Sequence, residues 1–459
     1  MTHNPQPMTN KTFKIITLGC KVNQYESAYF EEALIRAGWQ PAMKGKPARV
    51  VLINTCIVTQ KASHQSRQAI RKAIREHPGA YVAAVGCYAQ VFPEELAQIE
   101  GVDLIADNRM KAQVPHLIAQ GSEPARGIRM LRPFEPDAPF DTMAIRHFAG
   151  RTRAYLKIQD GCRSYCSYCI VPFARGPYRS LGPEDVVSML KTLSEEGYRE
   201  VVLTGIHLGK YGVDLKGEID LLWLLKRVGR EALPLRIRLS SMEPNELATG
   251  LIEMAATEPW LCRHFHIPLQ SGDDGVLKNM NRPYGVREFV RRIDIIHRTA
   301  PDAAVGVDIM AGFPGEDKGA FENSYSLLDE LPISYLHVFP FSRRPGTAAS
   351  RLTGKISPEI IKERAARLRA LGERKRHLFY QRCLNKEFLV LAERRDPLTK
   401  KWMQGTSDNY LPVLFPQSRD SVEGLVPVRA ERVERGRVIG TVVYPGMGTP
   451  TGFQQSTSQ

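Results

Sequence analysis

With 459 residues, the chain is too long for one ordinary domain, and two or three domains are expected. Lysine and arginine exceed aspartate and glutamate by 14 residues, which favours a polyanionic partner such as RNA or DNA. Since no apolar run suits a signal peptide or a membrane-spanning helix, the eight cysteines are expected to be metal or catalytic ligands in a reducing cytoplasm.

The first segment alternates short apolar runs with helix-like periodic runs. This alternation is typical of βαβ units and predicts an open parallel sheet in an α/β domain. The predicted strands are residues 13–18, 49–53, 81–85 and 102–105, and the predicted helices are residues 26–37, 60–76 and 93–99.

A cysteine follows each of the first three predicted strands, at Cys20, Cys56 and Cys87. The carboxyl ends of parallel strands line one edge of a sheet, where ligands bind, so the three thiols are expected to meet in space. A single cysteine in such a place is often only a small buried hydrophobe. Three of them in equivalent places predict an iron–sulfur cluster.

Residues 111–150 carry several prolines and little hydrophobic periodicity, which predicts a linker or a wrapping segment, with a new domain starting near residue 151. From residue 154 onward the alternation resumes. Six strand–helix units predict a partial (β/α)6 barrel, whose chemistry lies on the loops after the strands. The predicted strands are 154–158, 200–204, 235–239, 264–269, 303–309 and 335–339, and the helices between them are 183–196, 220–228, 246–256, 286–299 and 318–331.

The loop after the first strand of this barrel holds Cys162, Cys166 and Cys169. Three thiols in a C-x3-C-x2-C spacing can hold a cubane 4Fe–4S cluster with one iron left open to a ligand from outside the protein. A structural zinc site is the alternative, but zinc usually takes four closed ligands in pairs, and the sequence has no second C-x2-C pair. The loop resembles the signature of radical S-adenosylmethionine (radical SAM) enzymes, in which SAM chelates the open iron.

Other strand ends carry polar residues, and the sequence allows two roles for each of them. His207 follows the second strand and suits either an acid–base role or a structural hydrogen bond. The two remaining cysteines, Cys262 and Cys383, are expected to be structural. Four charged residues near strand ends can bind a substrate or simply pair with one another; they are Lys157, Arg175, Glu243 and Asp308.

A long basic helix is predicted over residues 358–382, with either a solvated charged face or a face that follows a phosphate backbone. Short β-like runs between residues 386 and 444 predict a small β-barrel, a fold that often binds RNA. Residues 445–459 are predicted to be disordered.

Taken together, these parts resemble the methylthiotransferase family of radical SAM enzymes. The resemblance implies an N-terminal domain with an auxiliary cluster over residues 11–125, a radical SAM core over 148–383 and a TRAM RNA-binding domain over 384–446. It implies two 4Fe–4S clusters and SAM as cofactors. The family's six cluster cysteines map onto Cys20, Cys56, Cys87, Cys162, Cys166 and Cys169, and its SAM contacts map onto Tyr168, Gly205, Gln270 and Ser271.

Two short segments, residues 17–27 and 203–207, are similar to the branch that modifies threonylcarbamoyladenosine at position 37 of tRNA. The isopentenyladenosine branch usually has Gln-Met-Asn after the first cysteine, and the ribosomal protein S12 branch has Pro-Lys-Asn. This chain has Lys21-Val22-Asn23, which fits neither.

The resemblance implies that one SAM methylates a sulfur at the auxiliary cluster and that a second is cleaved to a radical that removes hydrogen from adenosine C2. It also implies that the partners are the anticodon stem-loop of tRNA and an external electron donor such as flavodoxin or ferredoxin, with no membrane. The alternatives are methylthiolation of isopentenyladenosine or of ribosomal protein S12. A protein of another class, a non-catalytic iron–sulfur sensor that binds RNA, is also compatible with the cysteines.

Overall fold

The computed structural model describes residues 11–120, 125–397, 401–416 and 424–443. Its first part is a six-stranded, entirely parallel sheet in the order β2-β1-β3-β4-β5-β6. The elements are β1 (Thr12–Thr17), α1 (Lys21–Arg36), β2 (Gln40–Pro41), β3 (Val50–Thr55), α2 (Gln60–Glu76), β4 (Tyr81–Gly86), α3 (Cys87–Val91), α4 (Pro93–Ala97), β5 (Leu104–Ala106), α5 (Val114–Ala119) and β6 (Ile128–Met130).

Strands β3 and β4 are buried along their whole length because helices cover both faces of the sheet. Continuous apolar strands of this kind are typical of parallel sheets. The open parallel α/β sheet predicted from the sequence is therefore confirmed.

The segment predicted to be irregular, residues 111–150, is in part regular. It contains α5 and also β6, which pairs with β5 and so extends the sheet. Prediction missed β6 because it has only three residues, all at least partly exposed, and no apolar alternation.

The central part contains the six predicted parallel strands in chain order around an arc. Strands β7, β9 and β10 pair with one another, as do β11, β12 and β13, and a bridge from Ile237 to Leu261 joins the two groups. The elements are β7 (Ala154–Asp160), α6 (Val171–Arg175), β8 (Arg179–Ser180), α7 (Pro183–Glu195), β9 (Glu200–Gly205), α8 (Leu221–Gly229), β10 (Arg236–Leu239), α9 (Thr249–Thr257), β11 (His264–Gln270), α10 (Asp274–Asn279), α11 (Val286–Thr299), β12 (Ala304–Ala311), α12 (Lys318–Glu330) and β13 (Tyr335–Pro340).

Among the strands in the described ranges, β13 does not pair with β7, so the barrel is partial, as predicted. Helix α1 of the first sheet packs against β7 and buries Tyr25 in the apolar core of the barrel. The carboxyl edge of the first sheet is thereby brought to the barrel.

The last part is a closed five-stranded barrel in the order β14-β15-β16-β18-β17, which confirms the predicted small β-barrel. Its core includes Phe379, Tyr380 and Cys383 from the end of the long helix. The predicted disordered tail lies outside the described residues. The elements are α13 (Pro358–Cys383), β14 (Glu387–Arg395), β15 (Trp402–Ser407), β16 (Pro412–Pro416), β17 (Leu425–Glu434) and β18 (Arg437–Val442).

None of the helices in the described ranges is long and apolar enough to cross a membrane.

Candidate functional site

The first three cysteines meet at the carboxyl edge of the N-terminal sheet. Cys20 lies between β1 and α1, while Cys56 and Cys87 directly follow β3 and β4. Burial raises the pKa of the Cys56 thiol to about 12, and the nearness of Cys87 and Cys20 adds to the effect. The close approach depends on Gly19, since a Cβ on this residue, at φ +101°, would lie 2.8 Å from Cys56 Sγ.

Two nitrogen donors point at the sulfur of Cys87. Arg175 Nε lies 3.2 Å from Sγ and Asn108 Nδ2 lies 3.6 Å from it. The Arg175 guanidinium is fully buried and also pairs with Glu26 at 2.6 Å and Asp160 at 3.4 Å. Hydrogen bonds and positive charge at the sulfur are what a thiolate ligand of an anionic cluster requires.

The second set of cysteines lies in the loop between β7 and α6, where the barrel places its active-site loops. Gly161 starts this loop with φ +79°, and a Cβ there would lie 1.7 Å from Pro177 O. Only glycine allows the backbone to turn so tightly. The three thiols follow at Cys162, Cys166 and Cys169.

These sulfurs also have nitrogen partners. His207 Nδ1 lies 3.4 Å from Cys162 Sγ, and Arg282 Nη1 lies 3.2 Å from Cys166 Sγ. Burial would raise the pKa of Cys162, but the bond with His207 and that from the Ser164 backbone hold it below its ordinary value. His207 is in turn held by Glu246 at 2.8 Å.

The pKa of His207 follows from this contact chain. Burial would lower it, but the hydrogen bonds to Cys162 and Glu246 raise it to about 9. His207 therefore carries a proton at neutral pH and presents positive charge to Cys162. This is the structural hydrogen-bonding role that the sequence left open beside an acid–base role.

One cavity of about 530 Å³ reaches both cysteine sets, the first of them through Cys20. Cys20, Lys21 and Val58 line it from the N-terminal sheet, and the ends of the barrel strands line it from the core. All three thiols of the barrel loop also line it; they are Cys162, Cys166 and Cys169.

The remaining two cysteines do not belong to this cavity. Cys262 is buried beside Arg238, and Cys383 lies in the core of the terminal barrel, where Asn409 contacts it. Each set thus has three thiols, with cationic nitrogens beside the sulfurs. Three thiols fit a 4Fe–4S cluster with an open iron better than a closed four-ligand zinc site.

The four residues predicted to contact SAM fall into two pairs. Tyr168 and Gly205 line the cavity, whereas Gln270 and Ser271 do not. Ser271 is 1% exposed, and its hydroxyl lies 3.5 Å from Ser324 Oγ. The assignment of all four to SAM stays a prediction.

The charged residues predicted at the strand ends pair with neighbours, as one reading of the sequence had it. Lys157 and Arg175 both contact Glu26 and Asp160. Glu243 pairs with Arg282, and Asp308 binds His266 at 2.7 Å and His337 at 3.4 Å.

Sequence reasoning missed a group of aromatic rings in the cavity wall. His264 stacks on Tyr410 at 4.4 Å between ring centroids, and Tyr335 lies 5.9 Å from Tyr410. These rings come from β11, β13 and the terminal barrel, so no local pattern in the sequence joins them. Arg282 was also missed, because it lies in a turn that has no strand or helix signal in the sequence.

Family models match two stretches of the chain. Residues 12–107 match the uncharacterized protein family UPF0004, and residues 156–328 match the radical SAM superfamily. The threonylcarbamoyladenosine tRNA methylthiotransferase MtaB of Bacillus subtilis (strain 168) is 35% identical over 416 residues, covering 90% of this chain and 92% of the relative. The chain belongs to the methylthiotransferase family of radical SAM enzymes.

Other members of the family support this assignment. MtaB of Aquifex aeolicus (strain VF5) is 37% identical, with 86% of this chain and 97% of the relative covered. The tRNA-2-methylthio-N(6)-dimethylallyladenosine synthase of Dictyoglomus thermophilum (strain ATCC 35947 / DSM 3960 / H-6-12) is 29% identical, with 94% and 98% covered. This methylthiotransferase thus has one cavity lined by cysteines of both sets.

Among solved structures, the radical SAM methyltransferase TsrM from Kitasatospora setae matches with a TM-score of 0.55 at 15% identity. The match covers 74% of this chain and 77% of the TsrM chain. At this identity the likeness concerns the fold, and it agrees with the parallel sheet and partial barrel of the methylthiotransferase.

Proposed function

We propose that this methylthiotransferase adds a methylthio group to C2 of threonylcarbamoyladenosine in the anticodon loop of tRNA. The observation that carries the proposal is that one cavity is lined by Cys20 of the first cysteine triplet and by all three cysteines of the second. A reaction that activates a substrate carbon and delivers sulfur to it needs both functions within reach of one substrate. Curated relatives named for this substrate, MtaB, cover most of the chain.

In this proposal Cys20, Cys56 and Cys87 hold an auxiliary 4Fe–4S cluster, and the cysteines of the barrel loop hold the cluster that binds SAM. When bound, these groups supply radical chemistry and the sulfur. The chain's own contribution is charge and shape: Arg175 and Asn108 donate to Cys87, and Arg282 donates to Cys166. A cavity walled by protein also excludes water from a reactive intermediate.

A second cavity supports RNA as the substrate. It has a volume of about 630 Å³ and lies between the core, α13 and the terminal barrel, with Arg151, Arg376 and Arg394 in its wall. Tyr335, His337 and Tyr410 line both cavities. A basic surface that leads to stacked aromatic rings suits a nucleic acid whose base turns into the site.

Further parts of the proposal follow from the family. The terminal barrel is a TRAM domain that contributes to tRNA binding, and an electron donor of the flavodoxin or ferredoxin type reduces the SAM cluster. The enzyme works in the cytoplasm, where its tRNA is found.

The proposal is tested by mass spectrometry of tRNA nucleosides from cells with and without this gene. We expect the methylthio form of threonylcarbamoyladenosine to disappear and the unthiolated form to accumulate. Loss of methylthio-isopentenyladenosine instead would assign the enzyme to the other tRNA branch. Unchanged nucleosides would refute tRNA modification and direct the search to ribosomal protein S12.

Two variants separate the roles of the triplets. Cys162→Ala should abolish SAM cleavage, whereas Cys20→Ala should keep SAM cleavage and lose sulfur insertion. Both are assayed with the purified, reconstituted enzyme, and Cys262→Ala serves as the matched control because this cysteine lies outside the cavity. Full methylthiolation by Cys20→Ala would rule out the auxiliary cluster, and no SAM cleavage by the wild type would leave a non-catalytic sensor.

A further inference from the structure

Lys21 is a basic residue of the cavity wall that has no hydrogen-bond or ion-pair partner in the described part of the chain. It follows Cys20 directly, lines the cavity and is exposed within it. Within the described ranges, it forms no hydrogen bond and no ion pair within 4 Å. Arg282, another basic residue of the cavity wall, is paired with Glu243, and His207 is paired with Glu246.

The position of Lys21 is also unfavourable for the helix it starts. Lys21 is the first residue of α1, whose first turn has no acidic residue. A positive charge at a helix N-terminus opposes the helix dipole and destabilises the helix. A residue that breaks a local rule without a structural partner points to a functional role.

Glu243 lines the cavity, while Glu246 and Asp308 bind two of the histidines in its wall, and all three carboxylates are already paired. Glu243 binds Arg282, Glu246 binds His207 at 2.8 Å, and Asp308 binds His266 at 2.7 Å. None of them needs Lys21 as a partner. The ammonium group is therefore available for an anion that enters with the substrate.

The aromatic wall lies within the electrostatic reach of Lys21. Burial lowers the pKa of His264, and the charges of Arg238, His266 and Lys21 lower it further. His264 is stacked on Tyr410 in the same cavity. The charge of Lys21 would thus act on a base that stacks on these rings.

We propose that Lys21 binds the carboxylate of the threonylcarbamoyl group and so selects this modified adenosine. The inference rests on the proposed function. The threonyl carboxylate is the anionic group that distinguishes this nucleoside from adenosine and from an isopentenyl derivative. A lysine ammonium donates charge-assisted hydrogen bonds to such a group, and these are about twice as strong as neutral ones.

The test uses two anticodon stem-loop RNAs, one with threonylcarbamoyladenosine and one with its carboxamide analogue, in which a neutral amide replaces the carboxylate. Binding to the reconstituted holoenzyme is measured by fluorescence anisotropy, and the KM is measured alongside. The wild type should prefer the carboxylate by about ten- to a hundredfold, the range expected for one charged hydrogen bond.

Lys21→Gln should abolish this preference and leave affinity for the amide RNA unchanged, while Lys21→Arg should retain most of the preference. Lys226→Gln, at an exposed lysine of α8, is the matched control and should behave as the wild type. SAM cleavage by reduced Lys21→Gln should equal that of the wild type.

The outcomes separate the inference from the proposed function. Equal wild-type affinity for both RNAs, or a preference that survives in Lys21→Gln, overturns the role of Lys21. If Lys21→Gln loses the same affinity for both RNAs, this also overturns the proposed role. Lys21 would then support the structure of the loop that holds Cys20. If the wild type does not methylthiolate the threonylcarbamoyl RNA at all, the proposed function fails.

Discussion

At the scale of single residues, one buried carboxylate joins the N-terminal sheet to the barrel. Glu26 of α1 contacts Arg175 and Lys111 at 2.6 Å each and Lys157 at 3.5 Å. Burial would raise its pKa, but these three cations hold it at about 2. Arg175 also donates to Cys87, a candidate cluster ligand. The network therefore holds this cysteine through residues of both the N-terminal domain and the barrel.

We expect Glu26→Gln to lower the free energy of unfolding by about 3–5 kcal/mol at pH 7, because it leaves buried cations without their charge partner. The folded-state pKa lies below the ordinary value of 4.5, so the stabilisation is present above that pH and is lost as pH falls toward 2. Urea unfolding of both proteins at several pH values measures this.

The difference in the free energy of unfolding between wild type and Glu26→Gln should therefore decrease as the pH falls from about 4.5 toward 2. Glu363→Gln, at an exposed position of α13, provides the control and should change stability little. A gap of constant size across this range would contradict the ionised state of Glu26.

At the scale of elements, α13 shows that a run of positive charge need not be free to bind RNA. Several of its basic residues are neutralised by carboxylates of α12 or by Glu316, such as Arg364, Arg367 and Arg374. Arg376, in contrast, lines the cavity of about 630 Å³ together with Arg394 of β14. The basic residues of the helix thus include a group paired with carboxylates, while contact between Arg376 and a phosphate backbone stays a prediction.

The double variant Arg376→Ala/Arg394→Ala should weaken tRNA binding about tenfold and reduce the slope of log affinity against log salt by about 2, one for each lost phosphate contact. Fluorescence anisotropy at several salt concentrations gives both quantities. Arg374→Ala is the matched control, because this neighbour on α13 is paired with Asp329 at 2.6 Å. A slope identical to that of the wild type would exclude this cavity as a phosphate site.

Elements with a clear hydrophobic period could be predicted from the sequence. Helix α2 and helix α11 have the predicted bounds, and the buried strand β4 differs by one residue. The strands that prediction missed, such as β2 and β8, have two residues each and carry no period.

The cysteines of the site could be predicted because each follows a recognisable strand end or lies in a dense local motif. The groups around them could not. Glu26 and Arg175 are 149 residues apart, and Arg282 reaches Cys166 across 116 residues. Such contacts depend on how the barrel folds and how the domains dock, which periodicity along the chain does not encode.

At the scale of the whole molecule, the terminal barrel is docked on the core through buried guanidinium groups. Arg236 donates to Leu389 O at 2.6 Å and Arg238 donates to Ser407 O at 2.8 Å. Glu200 holds both arginines, at 2.7 Å and 2.8 Å. Because this contact places Tyr410 in the cavity wall, the barrel contributes a side chain to the candidate active site.

This arrangement predicts different kinetic effects for two changes to the barrel. Removing the chain after Asn385 should lower turnover even at saturating tRNA, since it opens the cavity and removes the carbonyl acceptors of Arg236 and Arg238 in the barrel. Tyr410→Ala should reduce kcat/KM by roughly ten- to a hundredfold through the lost stack, whereas Tyr410→Phe should stay near the wild type.

Single-turnover assays at saturating tRNA measure turnover separately from tRNA affinity. The double variant Arg376→Ala/Arg394→Ala should lose affinity and keep wild-type turnover in these assays. If the truncated enzyme also reached wild-type turnover at saturating tRNA, the barrel would contribute to RNA binding and not to the catalytic cavity. A defect that Tyr410→Phe shares with Tyr410→Ala would assign the role to the hydroxyl group and not to the ring. The stack on His264, at 4.4 Å, favours the ring, because a stacked aromatic wall accepts the face of a base.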